Sequence, residues 1–361
     1  MKRAVCAGLL GAWLSSWMGG LPAAADEKKL SPVLNVYNWE DYLGPPEIVT
    51  EFEQRFGVKV NLQTFDDEDV MVSGVQSHPD QYDLIITSGR LIAELVEMRL
   101  LAALNLANIP NIANIGHTFR NPDYDPGNRF SVPYLWGTTA LAVNHAHVPK
   151  DERSWAVLWN PAYKGKIAML PSPPETVAAA LKLLGYSLNS TDPKELKLAK
   201  QKLLEQRPLL AGYVETIQTR DKLISGELWA AQVYVGEGLV AANKNPDVEY
   251  LIPSEGATIW VDNLAIPRDA PHKYTAETFI NYILEPQVSA RIANYHRYAD
   301  PNLSATPYVL PELLQNPALY LPDVVLRTCE VLQPLGTSEA GQRRQQLINQ
   351  IWAELQRAPA Q

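Results

Sequence analysis

In the stretch NVYNWEDYLGPPEIV (residues 35–49), an apolar run leads straight into two aromatic residues flanking a pair of acids, Trp39-Glu40-Asp41-Tyr42, with a helix start behind them. The same mixture recurs at Glu175, at Tyr234 and Glu237, at Trp260 and Asp262, and at Tyr298. An aromatic face attracts a cation by roughly 0.5–2 kcal/mol, and a carboxylate accepts charge-assisted hydrogen bonds from an amine. Taken singly, each of these residues reads as structural, because Trp and Tyr are common in cores and acids are common on surfaces. Their shared position, at the ends of strand-like segments, marks them as a set that can hold a cationic ligand.

Other constellations carry less. GEGLVA (residues 236–241) follows a strand-like run and matches the dinucleotide-binding fingerprint with Ala in its last place and Asp262 further on. Glu237 would set its negative charge against a pyrophosphate, and Pro246 and Pro253 interrupt the stretch that should be one helix, so no nicotinamide or flavin site is expected. His145 and His147 alternate at a strand end with no Cys, Glu or third His near them, and read as solvent-exposed histidines rather than metal ligands. The acidic run Asp66–Asp69 lacks the alternating ligands and loop glycine of a calcium site and reads as a solvated helix N-terminus, where acids are electrostatically favoured. No nucleophile elbow or Ser-His-Asp arrangement stands out. The expectation is a protein that is not an enzyme and needs neither cofactor nor metal.

The elements that must position the set follow from periodicity. Pro45-Pro46 opens a helix with Ile48, Phe52 and Phe56 on one face and Gly57 at its stop. Residues 58–65 alternate, which predicts a half-buried strand with Val58, Val60 and Leu62 on one side. A helix near 68–75, a buried strand over 82–87 and a helix near 91–98 continue the alternation. Such an α/β unit binds ligands beyond the carboxyl ends of its strands, which places Trp39–Tyr42 and Ser88 at one binding edge. Residues 130–144 then predict a strand, and a second alternation follows: strand 166–170, helices 174–185 and 193–205, strands 230–235 and 257–267, and a helix 276–284. Leu347, Ile351 and Leu355, spaced four apart, predict a C-terminal helix. Two α/β lobes are the simplest account.

Charge and targeting bound the setting. Lys2 and Arg3, an apolar run from Ala4 to about Trp17, and small residues up to Ala25 form the layout of a secretory signal peptide, too short to span a bilayer. Cys6 comes at the start of the apolar run rather than after it and does not fit a lipoprotein site. Cleavage after Ala25 removes two basic and no acidic residues, taking the formal charge from −9 to −11. An acidic chain argues against nucleic acid and accommodates a cationic ligand. Cys329 is then the one remaining cysteine, so no internal disulfide forms, and an exported chain without disulfides fits a bacterial periplasm.

Five motifs, in this order, resemble those of the periplasmic spermidine/putrescine-binding proteins that serve polyamine ABC transporters: YNWEDY, YDLIITSG, FSVPYLWGTTALAVN, EGATIWVDNLAIP and YADPNLSATP. The resemblance runs over nearly the whole chain beyond residue 25. It implies an α/β, two-lobed periplasmic binding protein fold with a ligand cleft between lobes joined by crossing strands. The expected division is residues 26–137 plus 262–308 for lobe 1 and 138–261 plus 309–361 for lobe 2. The family's ligand residues fall on Trp39, Glu40 and Tyr42, on Ser88, on Glu175, on Tyr234 and Glu237, on Trp260 and Asp262, and on Tyr298, with a looser match at Gln333. Three positions depart from the family: Glu40 stands where Ser or Thr is usual, Tyr234 replaces Trp, and Ser172 stands where spermidine binders tend to have Asp.

The implied ligand is a polyamine, whose methylenes want flat apolar faces and whose ammonium groups want carboxylates. Convergent acids repel one another in an empty site, so binding is expected to depend on pH and to need at least two positive charges. The implied partner is a membrane permease of an ABC transporter or, alternatively, a membrane signalling receptor. The expected state is a monomer.

Overall fold

The computed structural model describes residues 28–333 and 339–357; the leader expected at residues 1–25 lies outside them. In chain order the main elements are β1 (Val33–Trp39), α1 (Glu47–Phe56), β2 (Lys59–Phe65), α2 (Glu68–Ser77), β3 (Leu84–Ser88), α3 (Gly89–Glu97) and β4 (Ser131–Asn144). Then come β5 (Ile167–Met169), α4 (Pro173–Leu183), α5 (Pro193–Gln206), β6 (Leu210–Tyr213), α6 (Thr216–Ser225), β7 (Ala230–Tyr234), α7 (Val235–Lys244) and β8 (Val248–Leu251). The rest are β9 (Thr258–Ala265), α8 (Lys273–Ile283), α9 (Pro286–His296), β10 (Glu330–Val331) and a last helix, Glu339–Arg357.

The strands join in the order β2-β1-β3-β9-β4-β7-β5-β6, with β8 on β4 and β10 on β9. β2, β1 and β3 run parallel, as do β7, β5 and β6, while β9 is antiparallel to both β3 and β4, and β4 is antiparallel to β7. Two parallel blocks are therefore bridged by one antiparallel pair. β4 is buried along its whole length because it belongs to both: Ser131 and Val132 lie opposite Ala265 and Leu264, whereas Thr139–Val143 pair with β7. A break in register between Pro133 and Leu135 lets the strand turn from one block into the other.

Each block has its own apolar core. Leu34 and Val36 of β1, Ile48 and Phe52 of α1, and Phe279 and Tyr282 of α8 fill the first, where the rings of Phe52 and Phe279 meet edge-on at 4.8 Å. The second contains Leu141 and Val143 of β4, Trp155, and Ile167 and Met169 of β5. The last helix lays Ile348, Ile351 and Leu355 on Leu196, Ala199 and Leu203 of α5; Leu347 is only partly buried. α1 ends where expected, with Gly57 at φ +68°, a left-handed conformation that glycine adopts without strain.

Two expectations need correction, at Leu62 and His145. Leu62 is 51% exposed, because β2 is an edge strand paired only with β1 and its buried positions are Val60 and Phe65. His145 is not exposed to solvent: its Nε2 lies 2.8 Å from Glu249 Oε2 and its Nδ1 3.0 Å from the Val148 carbonyl. His147 is exposed, with its ring stacked on Trp229 at 4.3 Å. Periodicity also missed β6, β8, α6, α7 and α9; the two strands are four residues each, too short for an alternating pattern to declare itself.

Candidate functional site

β9 is the strand on which the site is built. Asp262 lies opposite Ser88 of β3 and Leu135 of β4, while Trp260, two residues earlier on the same face, lies opposite Gly137. Tyr42, in the loop after β1, donates its hydroxyl to Asp262 Oδ2 at 2.6 Å. From there a row of rings crosses the bridge between the blocks. Tyr42 meets Tyr298 at 6.2 Å, Tyr298 meets Trp260 edge-on at 4.9 Å, and Trp260 meets Tyr234 edge-on at 6.2 Å. Tyr134 and His296 flank Tyr42 at 5.6 and 5.1 Å.

Two glycines permit this packing. A Cβ on Gly137 would stand 2.5 Å from Trp260 Cζ2, and one on Gly236 would stand 2.4 Å from Tyr298 Cε1. The GEGLVA glycines thus lie inside a helix, α7, where they make room for rings: Gly238 does the same for Tyr250.

Carboxylates mark both ends of the row. Asp262 sits at the Tyr42 end, and burial pushes it up to about 7, although the Tyr42 hydrogen bond pulls the other way. Glu175 lies at the other end, in the first turn of α4, only 5% exposed. Its Oε1 accepts from Thr139 Oγ1 at 3.0 Å, and Thr139 lies opposite both Tyr234 and Thr258. Burial raises Glu175 to about 7 as well, against hydrogen bonds from Thr258 and Thr139 and the charge of Arg90. Glu175 Oε2, Ser88 Oγ, Trp260 Nε1 and His296 Nε2 are all buried without a hydrogen-bond partner. Such atoms cost stability unless something else satisfies them. Burial lowers His296 to about 4, so its imidazole is neutral near pH 7.

The remaining expected residues lie off the row of rings, although Glu237 is near enough for its charge to act on Tyr298. Trp39 ends β1, half-buried against Phe65 at 4.4 Å. Glu40 is exposed. Glu237 faces Arg220 at 3.8 Å, and burial raises its carboxyl above the usual range. Gln333 is exposed, with its backbone N–H on Asn189 Oδ1. Ser172 occupies the N-cap of α4 without a capping side-chain bond.

Three residues of the site escaped sequence reasoning. Glu68 is no solvated helix acid: its Oε1 accepts from the Ser88 N–H at 3.1 Å and Thr87 Oγ1 at 3.3 Å, and its Oε2 takes the guanidinium of Arg90. The two side chains are 15% and 18% exposed. Asp67 is the capping residue of that acidic run, accepting from the N–H groups of Asp69 and Val70. The usable signal was Arg90 itself, a long cation two residues past Ser88 at a strand-to-helix junction. His296, beside Tyr42, gave no signal in the sequence.

The chain matches the bacterial extracellular solute-binding protein family over residues 47–319. It is 32% identical to the spermidine/putrescine-binding periplasmic protein of Escherichia coli (strain K12), over 325 residues that span 90% of this chain and 92% of that one. Against a putrescine/cadaverine-binding protein of Pseudomonas aeruginosa it is 28% identical over 348 residues, 93% and 96% of the two chains. A solved spermidine/putrescine ABC transporter substrate-binding protein of Streptococcus pneumoniae superposes with a TM-score of 0.77 at 32% identity, covering 90% of this chain and all of that one. A structure described as a spermidine/putrescine ABC transporter from Listeria monocytogenes gives 0.84 at 30% identity, covering 90% and 99%. With this sheet topology and these likenesses, the chain belongs to the bacterial extracellular solute-binding proteins and, within them, to the two-lobed periplasmic spermidine/putrescine-binding family.

Proposed function

We propose that this protein captures a polyamine of the putrescine/spermidine class between its lobes in the periplasm and delivers it to the permease of an ABC transporter. The observation that carries the reading is the row Tyr42–Tyr298–Trp260–Tyr234 with a carboxylate at either end, Asp262 and Glu175. Methylenes of an extended amine can lie along the rings, whose faces also attract its charge. Each terminal ammonium then meets an acid that burial has made reluctant to ionise alone. The unpartnered Glu175 Oε2 is an acceptor that an ammonium would satisfy. Ser88 lies beside Asp262 in register and supplies a hydroxyl at the same end.

In this reading lobe 1 comprises residues 26–137 plus 262–308 and lobe 2 residues 138–261 plus 309–361, with β4 and β9 as the crossing strands. The chain reaches the periplasm through its 1–25 leader and works as a monomer. Trp39, Glu40, Glu237 and Gln333 would bear on ligand from outside the row.

Calorimetric titration of chain refolded to remove carried-over ligand, with putrescine, cadaverine, agmatine, spermidine, norspermidine and spermine, tests the binding reading. Tight 1:1 binding of one of them is expected, and no heat with any of them would refute it. Stimulation of the transporter ATPase by loaded protein, in membranes carrying the permease, separates delivery from signalling to a receptor.

A further inference from the structure

Gln232 stands in the middle of β7 among Ala230, Ala231 and Val233, which are fully buried, and is itself only 1% exposed. An amide at such a position gives up its water and its rotamer freedom, a cost that hydrogen bonds must offset. Both ends of the amide are used. Nε2 donates to the Glu175 carbonyl at 2.9 Å, and Oε1 accepts from the Leu170 N–H at 3.4 Å.

These two bonds span the turn that launches α4. Residues 170–174 read Leu-Pro-Ser-Pro-Pro, so prolines restrict the local backbone, but Ser172 at the N-cap makes no capping bond. Thr176 Oγ1 closes the turn on itself by donating to the Leu170 carbonyl at 3.0 Å. Gln232 joins that turn to the sheet through its backbone, while Thr139 meets the Glu175 carboxylate. Gln232 lies opposite Leu141 of β4, and Tyr234, two residues on along the same face, lies opposite Thr139. The strand that carries the last ring of the row therefore also holds the backbone of the acid at that end.

Building on the polyamine reading, we propose that Gln232 is a positioning residue for ligand capture: it fixes the first turn of α4 so that Glu175 stands at the Tyr234 end of the row with Oε2 free for an ammonium. Its own hydrogen bonds are spent on the turn, so it acts through Glu175. Binding groups tolerate a misplacement of only about 0.5 Å. A turn loosened by that much takes Oε2 off the ammonium while the rings and Asp262 keep their places.

The test is calorimetry with whichever of putrescine, cadaverine, agmatine, spermidine, norspermidine and spermine wild type binds most tightly. It is run on wild type, Gln232→Met, Glu175→Gln and the double variant, with melts to check folding. Methionine keeps nearly the shape of glutamine and removes both bonds. Gln232→Met should weaken binding by about fivefold or more alone, and by less than about twofold when Glu175 is already replaced, because the two residues act as one unit. A merely structural glutamine would cost the same in both backgrounds. Between pH 8 and pH 6 the affinity of Gln232→Met should change by about tenfold, the share of Asp262 alone, rather than by about a hundredfold. A loss below about twofold, an equal loss in both backgrounds, or a pH dependence equal to wild type overturns the positioning role and leaves polyamine binding intact. A wild type that binds none of the six amines overturns the polyamine reading and this proposal with it. Should Gln232→Met fail to fold, Gln232→Asn, whose amide is one methylene too short to reach the turn, goes through the same cycle and is judged by the same outcomes.

Discussion

Polyamine loading should weaken steeply as pH falls below 7. Asp262 and Glu175 each ionise near 7 in the ligand-free protein because both are buried, and an ammonium beside either one restores its ionised form. Alkylammonium groups, like lysine with its pKa of about 10.4, stay charged throughout this range. Below pH 7 each acid must therefore lose a proton before it can pair. Between pH 8 and pH 6 the ionised fraction of an acid with pKa about 7 falls about tenfold, so two acids weaken binding by roughly a hundredfold, or about 2.7 kcal/mol. Calorimetry at both pH values, in two buffers of different ionisation heat, counts protons directly. Release should approach two protons per ligand at about pH 6 and fall close to none at about pH 8. Asp262→Asn should remove one proton from that count. An affinity that changes by less than about threefold over the range would refute the assignment of these two acids to the ligand.

Folding should respond to pH in the opposite sense. Asp262, Glu175 and Asp300 all have folded values raised to about 7, so their stabilising contribution is complete below their unfolded values and is lost as pH rises through 7. Ligand-free protein should gain about 1.4 kcal/mol per acid between pH 8 and pH 6, offset by about 0.8 kcal/mol as His296, depressed to about 4, forfeits stability below 6.5; chemical denaturation at the two pH values measures the net gain, and a net loss would contradict it. Gly236→Ala should drive its new Cβ into Tyr298 and the His296 carbonyl, lowering polyamine affinity by about tenfold or more, whereas Gly238→Ala should mainly destabilise by about 1–3 kcal/mol through Tyr250; paired titrations and melts distinguish them. Asp262→Asn should weaken binding by about tenfold or more without lowering the melting temperature at pH 8, since it removes a buried charge that the ligand-free fold holds at a cost. Phe52→Ala should destabilise the first core by about 3–5 kcal/mol, read from denaturant midpoints.

Strand-end position was legible because it follows from chain order alone. Strands of β-branched residues followed by capped helices declare themselves. Ser88 and Tyr234 sit where β3 and β7 stop, as expected, whereas Trp260 and Asp262 lie in the middle of β9, at the place where it crosses between the blocks. What escaped was whatever depends on contacts between distant segments. Glu68 sits in an acidic run beside a good cap, Asp67, and nothing local says that it turns toward Ser88 and Arg90. The GEGLVA glycines looked like a phosphate loop because glycine answers equally to a tight turn and to a close neighbour; here the neighbours are Tyr298 and Tyr250. Leu62 followed the alternating pattern yet found no partner, since an edge strand is covered only where a helix reaches it.

The order in which the chain visits its two blocks bears on how it is made. Phe52 of α1 completes its core only against Phe279 and Tyr282 of α8, which lie beyond β5, β6 and β7 of the second block in sequence. On a ribosome delivering about 5–20 residues per second, the first block must wait many seconds with its apolar faces uncovered. It cannot complete its core before α8 is made, so a chain bound for a translocation channel would still be threadable when most of it has been synthesised. A fragment ending before α8 would for the same reason leave Ile48 and Phe52 without the face that Phe279 and Tyr282 supply.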